Sequence, residues 1–323
     1  MRGKKHLKRL KCTDRMRVDW IDLTKGIAIF LMVCGHTGLP GALSNWIWSF
    51  HMPLFFLMSG LLYKTDRYPS FIIFLKKRIY SLLVPYVFFS IVILFSDRDL
   101  SIVECLKEGW VNGCALWFLP VLFFTEMISF QIIKCAKKYW WIYAIFLYTI
   151  GYLLYLKSIR LPYNIDVCLY ASLFYLLGYY FRDVIKNYNF KAYMIFLFTV
   201  SNIALSQLLP RTDMAYNQCG WYGLNAINAI IGTLMVISLS KSFAYIPFKK
   251  FFMWGGKNSI VILGLSQILN MSLKGIMEDL HLPSVLSSGS RHIVLWILLW
   301  WISIIINRYF PFVIGKKRMT PRS

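Results

Sequence analysis

Ten apolar runs, each near the length of a bilayer-crossing helix and separated by short polar segments, dominate this chain. They fall at about 21–38, 46–63, 79–96, 115–133, 139–156, 165–181, 191–209, 222–240, 258–275 and 292–312. A span of hydrocarbon needs about 20 such residues as a helix, and only helices and closed barrels satisfy every backbone group within lipid. A soluble chain with one large core is excluded by supply. Of 323 residues, 58% are hydrophobic and 15% charged, and the mean hydropathy is +0.56, so too little polar surface remains to cover such a core. The expected fold is all-α: a polytopic membrane helix bundle of about ten transmembrane helices. Aromatic residues gather at run ends (Trp46/Trp48, Trp110/Trp117, Tyr139/Trp140/Trp141, Trp221/Tyr222, Trp254), as interfacial belts require.

Charge placement orients the bundle. With both termini in the cytoplasm, the inside segments hold 28 Lys/Arg against 7 in or beside the outside segments, and Lys25 lies within the first run. The net charge of +22 therefore follows membrane topology rather than a nucleic-acid surface. The basic first 19 residues lack the small-residue exit site of a cleavable signal, so residues 1–20 are expected to form a cytoplasmic arm, 21–313 the membrane domain and 314–323 a basic cytoplasmic tail. The longest loops, 97–114 and 276–291, are too short for a soluble domain, and no internal repeat is seen. Seven cysteines without CxxC spacing read as apolar fillers. No metal site is expected.

Ionisable residues inside apolar runs are costly and are the first functional candidates. The first run carries Asp22, Lys25 and His36. As a helix it would place Lys25 and His36 about 20° apart in rotation and about 16 Å apart along the axis, with Asp22 on the same stripe. Asp22 and Lys25 read either as a local ion pair that eases insertion or as functional groups. The second run descends past His51, which reaches the level of His36, so two imidazoles at one depth suggest a site opening outward. Gly38, Pro40 and Gly41 make the tight connection, Met52-Pro53 places a helix distortion beside His51, and Ser59-Gly60 permits close helix approach. Lys76, Lys77 and Arg78 before the third run are topology signals or a phosphate cradle. Glu126, at mid-depth in the fourth run after Trp117, is protonated, paired or lining a polar cavity. Other signals fail. Gly255-Gly256-Lys257-Asn258-Ser259 lacks P-loop spacing, there is no GxSxG elbow, the sequon at Asn270 lies within a run, and the soluble acyltransferase pattern of His, four residues, Asp is absent, with Gly41 and Phe56 where Asp would stand.

At these residues the sequence resembles the acyltransferase-3 family of integral membrane acyltransferases, in particular its fucose 4-O-acetylase-like branch. The matching residues are Asp22, Lys25-Gly26, Gly35-His36, the stretch Phe50-His51-Met52-Pro53-Leu54-Phe55-Phe56, Ser59-Gly60, Lys77-Arg78, Pro85-Tyr86 and Trp117-Phe118. Lys25 and His36 meet the family pattern of a basic residue, ten residues, then histidine. The motifs cover roughly the first 120 residues. Where the family often shows two arginines three apart, Arg78 is followed by Ser81, and no esterase-like domain is fused on.

The resemblance implies transfer of an acyl group, usually acetyl from cytoplasmic acetyl-CoA as co-substrate with no tightly bound cofactor, to a hydroxyl of a cell-surface carbohydrate such as capsule, exopolysaccharide or O-antigen. The expected setting is a bacterial inner membrane, and the partners are the acyl-CoA donor, the carbohydrate acceptor and the bilayer, not nucleic acid. Lys76, Lys77 and Arg78 would hold the nucleotide end, and the pantetheine arm would run up the Lys25–His36 face. His36 is the candidate general base, His51 orients it or binds the acceptor, Lys25 binds the arm or phosphates, and Asp22 fixes Lys25. Trp117, Glu126 and Ser59 are candidate substrate contacts. The choice of base between the histidines, and a covalent acyl-histidine or acyl-Ser59, stay open. Two other classes compete: an exporter of a polysaccharide or lipid-linked sugar with the histidines as proton relay, and a scaffold of a polysaccharide-assembly complex. The exporter should show paired halves, which are not seen, and the scaffold leaves the Asp22–Lys25–His36 stripe unexplained.

Overall fold

A computed structural model describes residues 2–96, 115–242, 247–279 and 284–316, with side chains from residue 19 in the first helix and from residue 289 in the last. The loop 97–114 with Trp110, the tail from 317, the side chains of the basic arm to residue 18 and of residues 279–288, and Cys12, Cys105 and Cys114 lie outside the described residues. Those that are described form helices and no strand; one isolated antiparallel bridge pairs Asp213 with Gln218.

In chain order the helices are α1 (Arg2–Gly35), α2 (Gly41–Trp48), α3 (His51–Leu62), α4 (Phe71–Arg78), α5 (Val84–Ser96), α6 (Phe118–Cys135), α7 (Trp140–Leu156), α8 (Ile165–Tyr180), α9 (Arg182–Asn187), α10 (Ala192–Leu208), α11 (Leu224–Ser242), α12 (Lys249–Lys257), α13 (Ser259–Asp279) and α14 (Ser284–Tyr309). Five stretches are long and apolar enough to cross a membrane: Phe71–Ser96, Ala115–Cys135, Leu224–Ser242, Ser259–Glu278 and Gly289–Tyr309; Trp140–Leu156 and Ala192–Leu208 are shorter apolar helices. This is a multi-pass membrane protein.

The apolar pattern located the helices well and their interruptions less well. Helix α1 begins at Arg2, so the expected arm 1–20 is helical and continuous with the first run. The second run, expected as one helix over 46–63, is two helices that meet at Ser49 and Phe50, where Phe50 leaves helical geometry (φ −141°, ψ −18°). Between α4 and α5 residues Ile79–Leu83 form a π turn. Pro85 has no N–H to donate to residue 81, and a widened turn just upstream absorbs that misfit.

The chain forms two compact units. The first comprises residues 1–63, 174–213 and 218–259; the second comprises 64–173, 214–217 and 260–323. In the first, glycines set the closest approaches. A Cβ on Gly26 would collide with the Phe252 carbonyl, and one on Gly256 with the Asp22 carbonyl, so α1 and α12 cross backbone to backbone. Gly60 and Gly178 do the same for α3 and α8, against the carbonyls of Tyr175 and Leu57. In the second, Phe74 stacks on Phe130 with centroids 4.8 Å apart, and Gly264 makes room for the Phe89 ring. A pair of neighbouring loops is locked by Asp166, whose carboxylate accepts from Leu161 N (3.1 Å) and meets Arg160 Nε at 3.3 Å, while Arg160 and Asn164 both donate to Ala215 O.

Candidate active site

The first unit carries a broken hairpin. Helix α1 stops at Gly35, and His36 lies in the turn beyond it, its N–H donating to Val33 O at 3.2 Å. The expectation of His36 on the same helical stripe as Lys25 is therefore corrected: the stripe ends one residue earlier. The chain stops turning there because Thr37 Oγ1 donates back to Cys34 O (2.6 Å) and Gly38 takes a left-handed conformation (φ +83°), open to glycine at no steric cost. Pro40 then leads into α2.

The break after Trp48 frees backbone groups that lipid cannot satisfy. Three carbonyls around the break accept from side chains. Ser49 Oγ donates to Trp46 O (2.8 Å), Thr212 Oγ1 to Trp48 O (3.3 Å), and His51 Nδ1 to Ile47 O (2.9 Å). A carbonyl only accepts, so the His51 proton sits on Nδ1 and Nε2 carries the lone pair. Pro53 falls in the first turn of α3, where its missing N–H leaves no ladder bond unmade. The distortion expected beside His51 is thus a full break, and Pro53 follows it.

Trp48 fills the space between the two imidazoles. Its ring centroid is 5.2 Å from His36 and 5.6 Å from His51, edge to face on both sides. His51 is 2% exposed and His36 half-buried. The Arg211 guanidinium lies over the Trp48 ring at 4.8 Å and is an electrostatic neighbour of His36. Two neutral imidazoles flanking one indole, with a fixed cation at its face, make a site able to take a proton from a hydroxyl and to stabilise a developing negative charge. Below the break, buried Asn202 donates to Asn228 Oδ1 (2.7 Å), Asn228 O (3.1 Å) and Ser49 Oγ (3.4 Å), seated over Gly232, where a Cβ would press on it.

Ser59 does not join this group. It lies two turns further along α3, about 12 Å from His51 along the axis, and its hydroxyl donates to Phe55 O of its own helix (2.8 Å).

Further back along α1, within the helix, lies a second polar station. Asp22 Oδ2 meets Lys257 Nζ at 3.8 Å, with Lys25 as a further electrostatic neighbour. Lys257 was not singled out from the sequence; the signal was Gly255-Gly256 before it, whose smallness admits the α1 backbone. Neither Asp22 nor Lys25 touches a histidine, because about 15 Å of helix separates Lys25 from Gly35.

Lys76, Lys77, Arg78, Trp117 and Glu126 belong to the second unit. Arg78 Nε lies 2.7 Å from Glu126 Oε2, and Glu126 is 2% exposed. The Arg78 guanidinium also lies over Phe74 (5.2 Å) and Tyr68 (5.9 Å). Of the three states open to Glu126, it adopts the paired one. Arg78 and Glu126, expected in separate cofactor and substrate sites, are two halves of one buried ion pair. Lys76 and Lys77 are exposed at the end of α4. Trp117, expected at an interface, is buried, edge to face with Phe118. Its short 3-10 turn is held by Ala115 N donating to Gln267 Oε1. Among the described residues no three His, Cys, Asp or Glu side chains cluster as metal ligands.

A family model described as an acyltransferase domain, that of the acyltransferase-3 family, matches residues 18–316. No curated protein and no solved structure matches the chain.

Proposed function

Because the chain belongs to the acyltransferase-3 family and is an acyltransferase, we propose that it moves an acetyl group from acetyl-CoA to a hydroxyl of a cell-surface carbohydrate. The observation that carries this reading is the His36–Trp48–His51 group at the hairpin break, whose two histidines are residues that match the family motif. In the proposed reaction His36, the more accessible imidazole, takes the proton of the acceptor hydroxyl. The oxygen attacks the thioester carbonyl, the C–S bond breaks, and the thiolate takes the proton back from His36. His51, fixed with Nδ1–H on Ile47 O, offers the Nε2 lone pair to accept a hydrogen bond from a second, neighbouring hydroxyl of the acceptor. Arg211 supplies positive charge for the carbonyl oxygen. Lys25 and Lys257 provide cations for the donor's phosphates or arm in the first unit, and exposed Lys76 and Lys77 provide cations in the second. Arg78, paired through Nε with Glu126, stays a candidate contact of the donor beside Lys76 and Lys77.

The surrounding topology is proposed as ten spans with both termini cytoplasmic, in a bacterial cell membrane, and the fucose 4-O-acetylase-like branch as the place within the family. The inside excess of Lys/Arg supports this orientation. Lys77→Cys should label only from the cytoplasmic side; labelling from outside inverts the scheme. The function is tested by proton NMR of surface polysaccharide from cells with and without the gene. Loss of base-labile O-acetyl methyl signals at unchanged polymer amount is expected, and an unchanged O-acetyl pattern overturns the reading.

A further inference from the structure

A groove of about 420 Å³ opens in the first unit, away from the hairpin break, and every side chain that lines it is apolar or aromatic. Leu57 of α3, Leu177 of α8, Ile230 and Leu234 of α11, and Met194 and Phe198 of α10 form its floor and sides, and Val184, Ile185, Tyr188 and Phe190 close it over. That covering segment is tied down. Lys241 Nζ, at the end of α11, donates to the carbonyls of Ile185 (2.6 Å), Lys186 (3.2 Å) and Tyr188 (2.6 Å), and Ser242 Oγ donates to Phe190 O (3.1 Å). Three carbonyls satisfy the three ammonium protons, so Lys241 builds the wall. The groove is therefore preformed, as binding cavities usually are.

Its chemistry is two-sided. The lining is almost wholly apolar, Tyr188 alone of the lining residues carrying a hydroxyl, so it favours hydrocarbon. The same ten residues that cover it, 182–191, carry Arg182, Lys186 and Lys191 against one acid, Asp183, which Arg182 meets at 3.7 Å. Lys191 is exposed beside Phe190, and Lys186 stands one residue from Ile185. Cations in the segment that lines an apolar groove of a membrane protein complement an amphiphile with a hydrocarbon chain and an anionic head.

We propose that this groove seats an acyl chain of an anionic bilayer phospholipid, with Lys186 and Lys191 meeting its phosphate. In the proposed orientation that lipid belongs to the cytoplasmic leaflet. Retention of lipid is read without any acyl transfer, so it stands or falls separately from the enzymatic activity.

The test is native mass spectrometry of the full chain in detergent, after incubation with phosphatidylglycerol or with phosphatidylcholine of matched chains. Wild type should retain one phosphatidylglycerol about thirtyfold more than phosphatidylcholine, the worth of two cations at about 1 kcal/mol each. Leu177→Trp fills the groove and should lose the retained lipid. Lys186→Gln with Lys191→Gln leaves the groove open and should remove the preference between the two lipids. Equal retention of both lipids by wild type overturns the proposal, as does phosphatidylglycerol retention unchanged by Leu177→Trp. A lipid-free species at twice the chain mass would show a second copy covering the groove and would overturn it equally. Should Leu177→Trp fail to fold, the charge variant decides on its own.

Discussion

Two regions of this molecule put polar groups among apolar helices, and they satisfy them by opposite means. In the first unit the hairpin between α1 and α3 breaks, and the freed carbonyls are met by neutral donors: Ser49, Thr212 and the Nδ1–H of His51. One nitrogen of His51 is thereby spent and the other kept. In the second unit Arg78 Nε and Glu126 close on each other at 2.7 Å, and the buried carboxylate is held by that charge. Neutral capping leaves reactive lone pairs behind, and the buried ion pair occupies its carboxylate. The first region is therefore where chemistry is expected, and the second is where removal of one partner is expected to damage the fold.

That contrast breaks if either region behaves like the other. The largest effect is expected on activity in the first. His36→Ala should lower acyl transfer by about 10²–10⁴, the usual worth of a general base, while membrane abundance stays at wild-type level. Transfer at the wild-type rate would remove His36 from the reaction. Next is stability in the second region. Glu126→Leu strands the Arg78 charge and should cost about 3–5 kcal/mol, read as lost abundance and a lowered Tm, with Arg78→Met in the same chain restoring most of it. A Glu126→Leu protein that is stable but inactive would move this pair into the catalytic machinery.

A smaller effect sharpens the role of the α1–α12 crossing. Gly26→Ala forces a methyl onto the Phe252 carbonyl and should destabilise by about 1–3 kcal/mol through overpacking, measured as a drop in Tm. No change would mean that the helices separate freely. The smallest effect belongs to Asp22. Its pairing with Lys257 is long, and Lys257 is more than half exposed, so Asp22→Asn should shift stability by less than about 1 kcal/mol. A clear rise in KM for the acyl donor at unchanged Tm would instead place the Asp22–Lys25–Lys257 station on the donor's path.

Much of this architecture was legible in the residues. The apolar runs at 139–156, 165–181 and 191–209 became Trp140–Leu156, Ile165–Tyr180 and Ala192–Leu208, because burial in lipid demands length and hydropathy, and both are written locally. His36 and His51 were legible as costly groups in apolar surroundings, and Gly38 and Pro40 as the turn that brings them near each other. A distortion beside His51 was legible from Pro53, but its extent, a full break at Ser49 and Phe50, was not. Neither residue is a helix breaker, and what permits the break is Thr212, more than 160 residues later, donating to Trp48 O.

The sequence by itself determined that this chain is helical, apolar along its length and basic between its runs, and which side chains are too costly to be there without a use. Those properties depend on each segment's transfer from water to lipid, which neighbouring residues settle alone. The tertiary structure decided partnership. It joined Arg78 to Glu126, gave Asp22 a second lysine at Lys257, set Trp48 between two imidazoles and fixed the His51 proton on Nδ1. The Arg78 and Asp22 pairs join residues that the chain itself places far apart, at distances only packing sets, whereas the Trp48 and His51 contacts are short in sequence and follow from the turn at Gly38 and the break after Trp48.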